Sequence, residues 1–89
     1  VIDEDSEFVT TSLIEVLDLL KKKNDSYGDS WRELGVLGLV YRIKDKCNRL
    51  INIIVNDKGS IEDIDEEVMD IAGYALLLLK IRDEKGKIW

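Results

Sequence analysis

Apolar residues recur at three- and four-residue intervals along three stretches of the chain, which two short polar, glycine-containing breaks separate. In the first stretch Phe8, Leu13, Val16, Leu17 and Leu20 follow helical spacing, and Val9, Ile14 and Leu19 widen the stripe. This predicts a helix over about residues 6–23, with Asp3, Glu4, Asp5 and Ser6 as capping candidates and Lys21, Lys22 and Lys23 complementing its negative end. The second stretch predicts a helix over about 36–55. Val36, Val40, Ile43, Cys47, Leu50 and Ile54 form its main stripe, and Arg42, Asp45, Arg49 and Asn52 lie on the other face. The third predicts a helix over about 61–83, capped by Ser60 with Asp63 as its partner. Its first half is acidic, and its second half, IAGYALLLLKI, is apolar on several sides.

The breaks carry turn chemistry. Residues 24–29, NDSYGD, and 56–59, NDKG, are built from the residue types that tolerate tight or left-handed backbone. Between the first break and the second helix, Ser30 and Glu33 form a capping-box pattern that opens a short helical segment with Trp31 and Arg32, and Gly35 and Gly38 interrupt the region. With no proline anywhere, long uninterrupted helices are expected. The fold class is therefore all-α: three main helices in an antiparallel bundle forming one domain, 1–89. Three helices leave a face of the segment from Ile71 to Ile81 uncovered, so the bundle is expected to be completed by oligomerisation, as a homodimer or higher homo-oligomer. Ala72, Gly73 and Ala75 would let a neighbouring helix approach closely. The charged tail from Arg82 to Trp89 is expected to fray.

Composition narrows the function classes. The net charge is −6, from 19 acidic and 13 basic residues, which argues against general nucleic-acid binding. A nucleotide remains compatible, because a divalent metal supplies positive charge locally. The chain has no histidine, so a metal site would be made of oxygen ligands, favouring Mg2+ or Mn2+ over zinc. One cysteine, Cys47, excludes an intrachain disulfide and fits a reducing, cytoplasmic setting; its place on an apolar stripe marks it as core. No apolar run reaches membrane-spanning length.

Two patterns carry candidate chemistry. Glu62, Glu66 and Asp70 form one row on the third helix, and Glu67 with Asp70 a second pair within reach of a common ion. Acidic residues also favour the first turn of any helix and keep exposed faces solvated. Asp70 differs, because it lies beyond that turn and shares its face with Tyr74, Leu77 and Ile81. A covered carboxylate needs a cation or hydrogen-bond donors. Asp45, on the second helix, is the obvious extra ligand. The other pattern is Tyr27 and Trp31 beside Lys23 and Arg32, which could hold a base and phosphates or could fold the loop onto the core.

The blocks KKNDSYGDSWRELG from Lys22, LVYRIKDKCNRL from Leu39 and DIAGYALLLL from Asp70 together resemble the nucleotide-modification-associated domain of phages and prokaryotes. That domain is similar to the all-α nucleoside triphosphate pyrophosphohydrolases of the MazG-like and dimeric dUTPase group. The resemblance implies a magnesium-bound nucleoside triphosphate, cleaved between its α and β phosphates by water. Glu67-Val68-Met69-Asp70 matches the second of the group's two acidic patterns; in the first, Asp45 keeps a carboxylate and Asn48 stands where the second Glu would be. By this likeness Asp45, Glu66, Glu67 and Asp70 would hold the ion, with Glu66 or Glu67 orienting the attacking water. Lys46 and Arg49 would meet phosphates, Asn24, Tyr27 and Trp31 would contact base or sugar, and the loop from Lys23 to Arg32 would belong to the site. The alternatives are a nucleotide- or metal-binding module without catalysis, and a small helical oligomeric interaction protein whose acidic row only solubilises.

Overall fold

A computed structural model describes residues 5–28 and 30–85 and contains three α-helices: α1 (Ser6–Tyr27), α2 (Trp31–Asn56) and α3 (Ile61–Lys85). The all-α class and its three helices match the periodicity. Asp3, Glu4 and the tail residues 86–89 lie outside the described part, as does the side chain of Tyr27.

The helix ends correct the expectation in three places. α1 continues through Asn24, Asp25 and Ser26 and stops only at Gly28, whose φ of 62° lies in the left-handed region and whose N–H donates to the Asn24 carbonyl at 2.7 Å. Lys21, Lys22 and Lys23 consequently sit inside the helix, with no basic residue in its last turn. The Ser30–Glu33 capping box does not form: Ser30 makes no side-chain cap, and the Glu33 N–H donates instead to the Ser30 backbone carbonyl at 3.1 Å. Helix α2 starts at Trp31, earlier than its stripe predicts, because its first turn precedes a break at Gly35 (φ 66°, ψ −172°).

Ser60 and Asp63 behave as predicted. The Ser60 N–H donates to Asp63 Oδ2 at 2.8 Å, and the Asp63 N–H to Ser60 Oγ at 3.2 Å, a reciprocal cap that starts α3. Asp57, at φ 50°, closes α2 before it. Helices α2 and α3 form an antiparallel hairpin. Three ion-paired couples tie them, Arg32 with Glu84, Lys46 with Asp70 and Arg49 with Glu67, and in each the two residue numbers add to the same value.

Helix α3 is the shared partner of the other two helices. Gly73 is buried where α1 crosses it, and a Cβ there would meet Leu20 Cδ2 at 3.2 Å, so the small residue does serve a close helix approach. Ala75, by contrast, is exposed. Among the described residues Val16, Leu39 and Ile81 are the buried large apolar side chains, and of them only Leu39 is fully buried. Several residues of the predicted core stripes, including Phe8, Leu13, Leu17, Val40 and Ile54, are exposed, and Cys47 is half-buried. Amphipathic spacing identifies a face that wants cover, and two helices packed on α3 do not cover all of them.

Candidate functional site

The end of α1, the start and middle of α2 and the middle of α3 line an open cleft of about 1190 Å³. Its floor is α3. The four-residue spacing of Asp70 and Tyr74 puts both on one face, and the same spacing on α2 aligns Arg42 with Lys46. Trp31 and Asn24 line it as well.

Beneath the cleft two carboxylates are buried, Asp70 at 6% and Glu67 at 4% exposure. Lys23 Nζ donates to Asp70 Oδ1 at 2.7 Å, and Lys46 Nζ lies 3.0 Å from Asp70 Oδ2 and 3.6 Å from Glu67 Oε2. Arg49 approaches Glu67 Oε1 at 3.4 Å. A covered carboxylate at Asp70 therefore does meet a cation, and that cation is the chain's own. Desolvation by itself would raise the Asp70 pKa, but hydrogen bonds and attraction from Lys23 and Lys46 outweigh it and hold the carboxyl below its usual value. The same balance acts on Lys46. Burial disfavours its charge, and the Asp70 hydrogen bond with the fields of Asp70 and Glu67 more than restores it, so its pKa is raised. Glu67 Oε2 is left as a buried acceptor without a hydrogen bond.

The sequence-predicted residues divide. Lys23, Lys46, Arg49, Glu67 and Asp70 come together as one ionic cluster, and Asn24 and Trp31 line the adjoining cleft. Glu66 is exposed, between the cleft and a smaller hollow beside Arg49 and Lys58. Asp45 is exposed on the polar face of α2 and lines neither space. Arg32 turns to the far end of α3, where its guanidinium binds Glu84 at 2.7 and 2.5 Å and covers the Trp31 ring at 4.6 Å. Glu84 is thereby held below its usual pKa, chiefly by that hydrogen bond.

Among the described residues no group of three or more His, Cys, Asp or Glu side chains is gathered as a divalent ion requires. Of the four ligands that the resemblance implies, Glu67 and Asp70 share a buried place, and lysine and arginine hold them there. The set as arranged does not fit a divalent ion. Arg42 and Tyr74 are cleft residues that the motif reading passed over. The signal was present in their four-residue offsets from Lys46 and Asp70, but an exposed mixed-charge face and an apolar face both have commoner explanations.

Fold and site together define a small all-helical domain with a cleft lined by aromatic and charged residues beside an ionic cluster built on two buried carboxylates. The chain belongs to the family described as nucleotide modification associated domain 1, whose profile matches residues 23–81. That span opens on Lys23 and closes on Ile81, so it holds all five members of the cluster, all of α2 and α3 up to its last turn. Comparisons with curated proteins and with solved structures gave no match. Among the described residues no helix is long and apolar enough to cross a membrane.

Proposed function

We propose that the domain binds a nucleoside phosphate in this cleft, with its phosphates toward Lys46 and Arg42 and its base toward Trp31 and Asn24. One observation carries the reading: three cations, the half-buried Lys46 and the solvent-reaching Lys23 and Arg49, gather on two buried carboxylates, Glu67 and Asp70, in a chain whose net charge is −6. A local surplus of positive charge beside an aromatic wall suits an anionic, stackable ligand. The family membership supports a nucleotide-related role of the same kind.

Intrinsic tryptophan fluorescence with titrated nucleoside mono- and triphosphates tests it. Saturable quenching is expected, and Arg42→Ala, a change at an exposed cleft position, should weaken binding about tenfold, the loss of roughly 1.4 kcal/mol of charged contact. Absence of saturable binding for every nucleotide would end the proposal.

The hydrolytic form of the reading, resting on the likeness to MazG-like pyrophosphohydrolases, adds Mg2+ or Mn2+ shared by Asp45, Glu66, Glu67 and Asp70. The ion would neutralise charge on the phosphates. Release of pyrophosphate from deoxynucleoside triphosphates, measured with and without Mg2+, decides this part. Binding without turnover is favoured by the lysine already on Asp70 and by Asn48 in place of a ligand glutamate. We propose further that the domain acts as a homo-oligomer in a cytoplasmic setting.

A further inference from the structure

Charge along the cleft is nearly balanced. Its basic residues are Lys21, Lys23, Arg42 and Lys46, and its acidic ones are Asp25, Glu66 and Asp70, which leaves a single excess positive charge. Arg49 and Glu67 complete the neighbouring ionic cluster as a pair and leave that excess unchanged. Lys23 and Lys46 are already committed to Asp70, so among the described residues Arg42 and Lys21 are the cleft cations that no carboxylate holds.

Position matters as much as number. The ion pairs fix the register of the α2–α3 hairpin, and in that register Arg42 stands level with Tyr74, one turn from the level of Lys46 and Asp70. Arg42 and Lys46 are thus about 6 Å apart along α2, a gap that one phosphate group can bridge with an oxygen toward each. On α3 the next cleft residue beyond Asp70, on the side away from Tyr74, is the exposed Glu66. A second or third phosphate running in that direction would meet a carboxylate.

We infer, resting on the nucleotide-binding proposal, that the cleft takes a nucleoside monophosphate in preference to a metal-bound triphosphate. A phosphate monoester carries about −1.5 to −2 at neutral pH, which suits a small positive excess. Each further phosphate adds negative charge beyond it. Triphosphate sites offset that charge with divalent ions. Here the two buried carboxylates that would hold such an ion, Glu67 and Asp70, are held by Lys23, Lys46 and Arg49. The likeness to pyrophosphohydrolases implies a triphosphate, and the arrangement of charges favours a ligand of lower charge.

Isothermal titration calorimetry of the full chain with the mono-, di- and triphosphates of the common deoxynucleosides, once in EDTA and once with Mg2+, tests the inference. The monophosphate of the preferred nucleoside should bind about tenfold tighter than its triphosphate, the order expected for added charge repelled across several ångströms near a protein surface. Mg2+ should not reverse that order. Glu66→Gln, at an exposed position, should narrow the gap by tightening the triphosphate more than the monophosphate. Were Glu66 a metal ligand, the same change would weaken the triphosphate in Mg2+. A triphosphate that binds as tightly as the monophosphate in either buffer overturns the inference and leaves nucleotide binding standing. So does a Glu66→Gln chain in which the gap fails to narrow. Binding of no nucleotide at all removes both.

Discussion

Asp70 sits where two readings of one carboxylate make opposite forecasts. An empty metal site is a cluster of like charges, and neutralising one member relieves repulsion. Here Asp70 is instead held by Lys23 at 2.7 Å and Lys46 at 3.0 Å, so Asp70→Asn strands an ammonium that is only 19% exposed. The loss should be about 2–3 kcal/mol in urea unfolding, below the roughly 3–5 kcal/mol of a wholly buried pair because Lys23 reaches solvent. A rise in stability on the same change would mark the ionic cluster as a resting metal site. The proton linkage follows from the directions of the shifts. Asp70 has its pKa lowered from 3.8, so its contribution is whole above about pH 4 and lost as pH falls through the depressed folded value. Lys46 has its pKa raised from 10.5, so its contribution is whole below that value and lost as pH rises through the elevated one. Stability measured across pH should therefore be flat between these limits with respect to this pair, and Asp70→Asn should shrink the acid-side fall.

At the scale of the element, Gly35 is where α2 changes direction. At φ 66° any side chain strains the backbone, while a Cβ at this position meets nothing within 4 Å. Gly35→Ala should therefore cost about 1–2 kcal/mol from backbone alone, a fall of several degrees in melting temperature that scanning calorimetry can read. The helices themselves were legible from the 3.6-residue period, the missing proline and the Ser60–Asp63 cap. Their ends were less so. Asn24, Asp25 and Ser26 are turn formers by local chemistry, yet they extend α1 until Gly28 supplies a left-handed residue. The acidic pair Glu67–Asp70 was legible as a buried carboxylate site, because Asp70 belonged to an apolar face. Which cation answered it was not, since Lys23 lies 47 residues away and no periodicity within one helix reports a partner on another. The core was misjudged at Val40 and Ile54 for the same reason: spacing shows that a stripe exists and not what covers it.

Across the whole molecule, a hairpin of α2 and α3 with α1 laid against α3 leaves thirteen large apolar residues exposed among those described. A chain this open draws much of its cohesion from whatever covers it, and if a second copy does, its melting temperature should climb with protein concentration. The clasp between Arg32 and Glu84 bears on how such a chain comes apart. It joins the first turn of α2 to the last turn of α3, in water at both ends. Added salt weakens an exposed pair of this kind. Amide hydrogens of Trp31–Leu34 and of Arg82–Glu84 should then exchange with solvent in step as ionic strength rises, while those around Lys46 and Asp70 keep their protection, so that the hairpin opens from its tips like a pair of tweezers released.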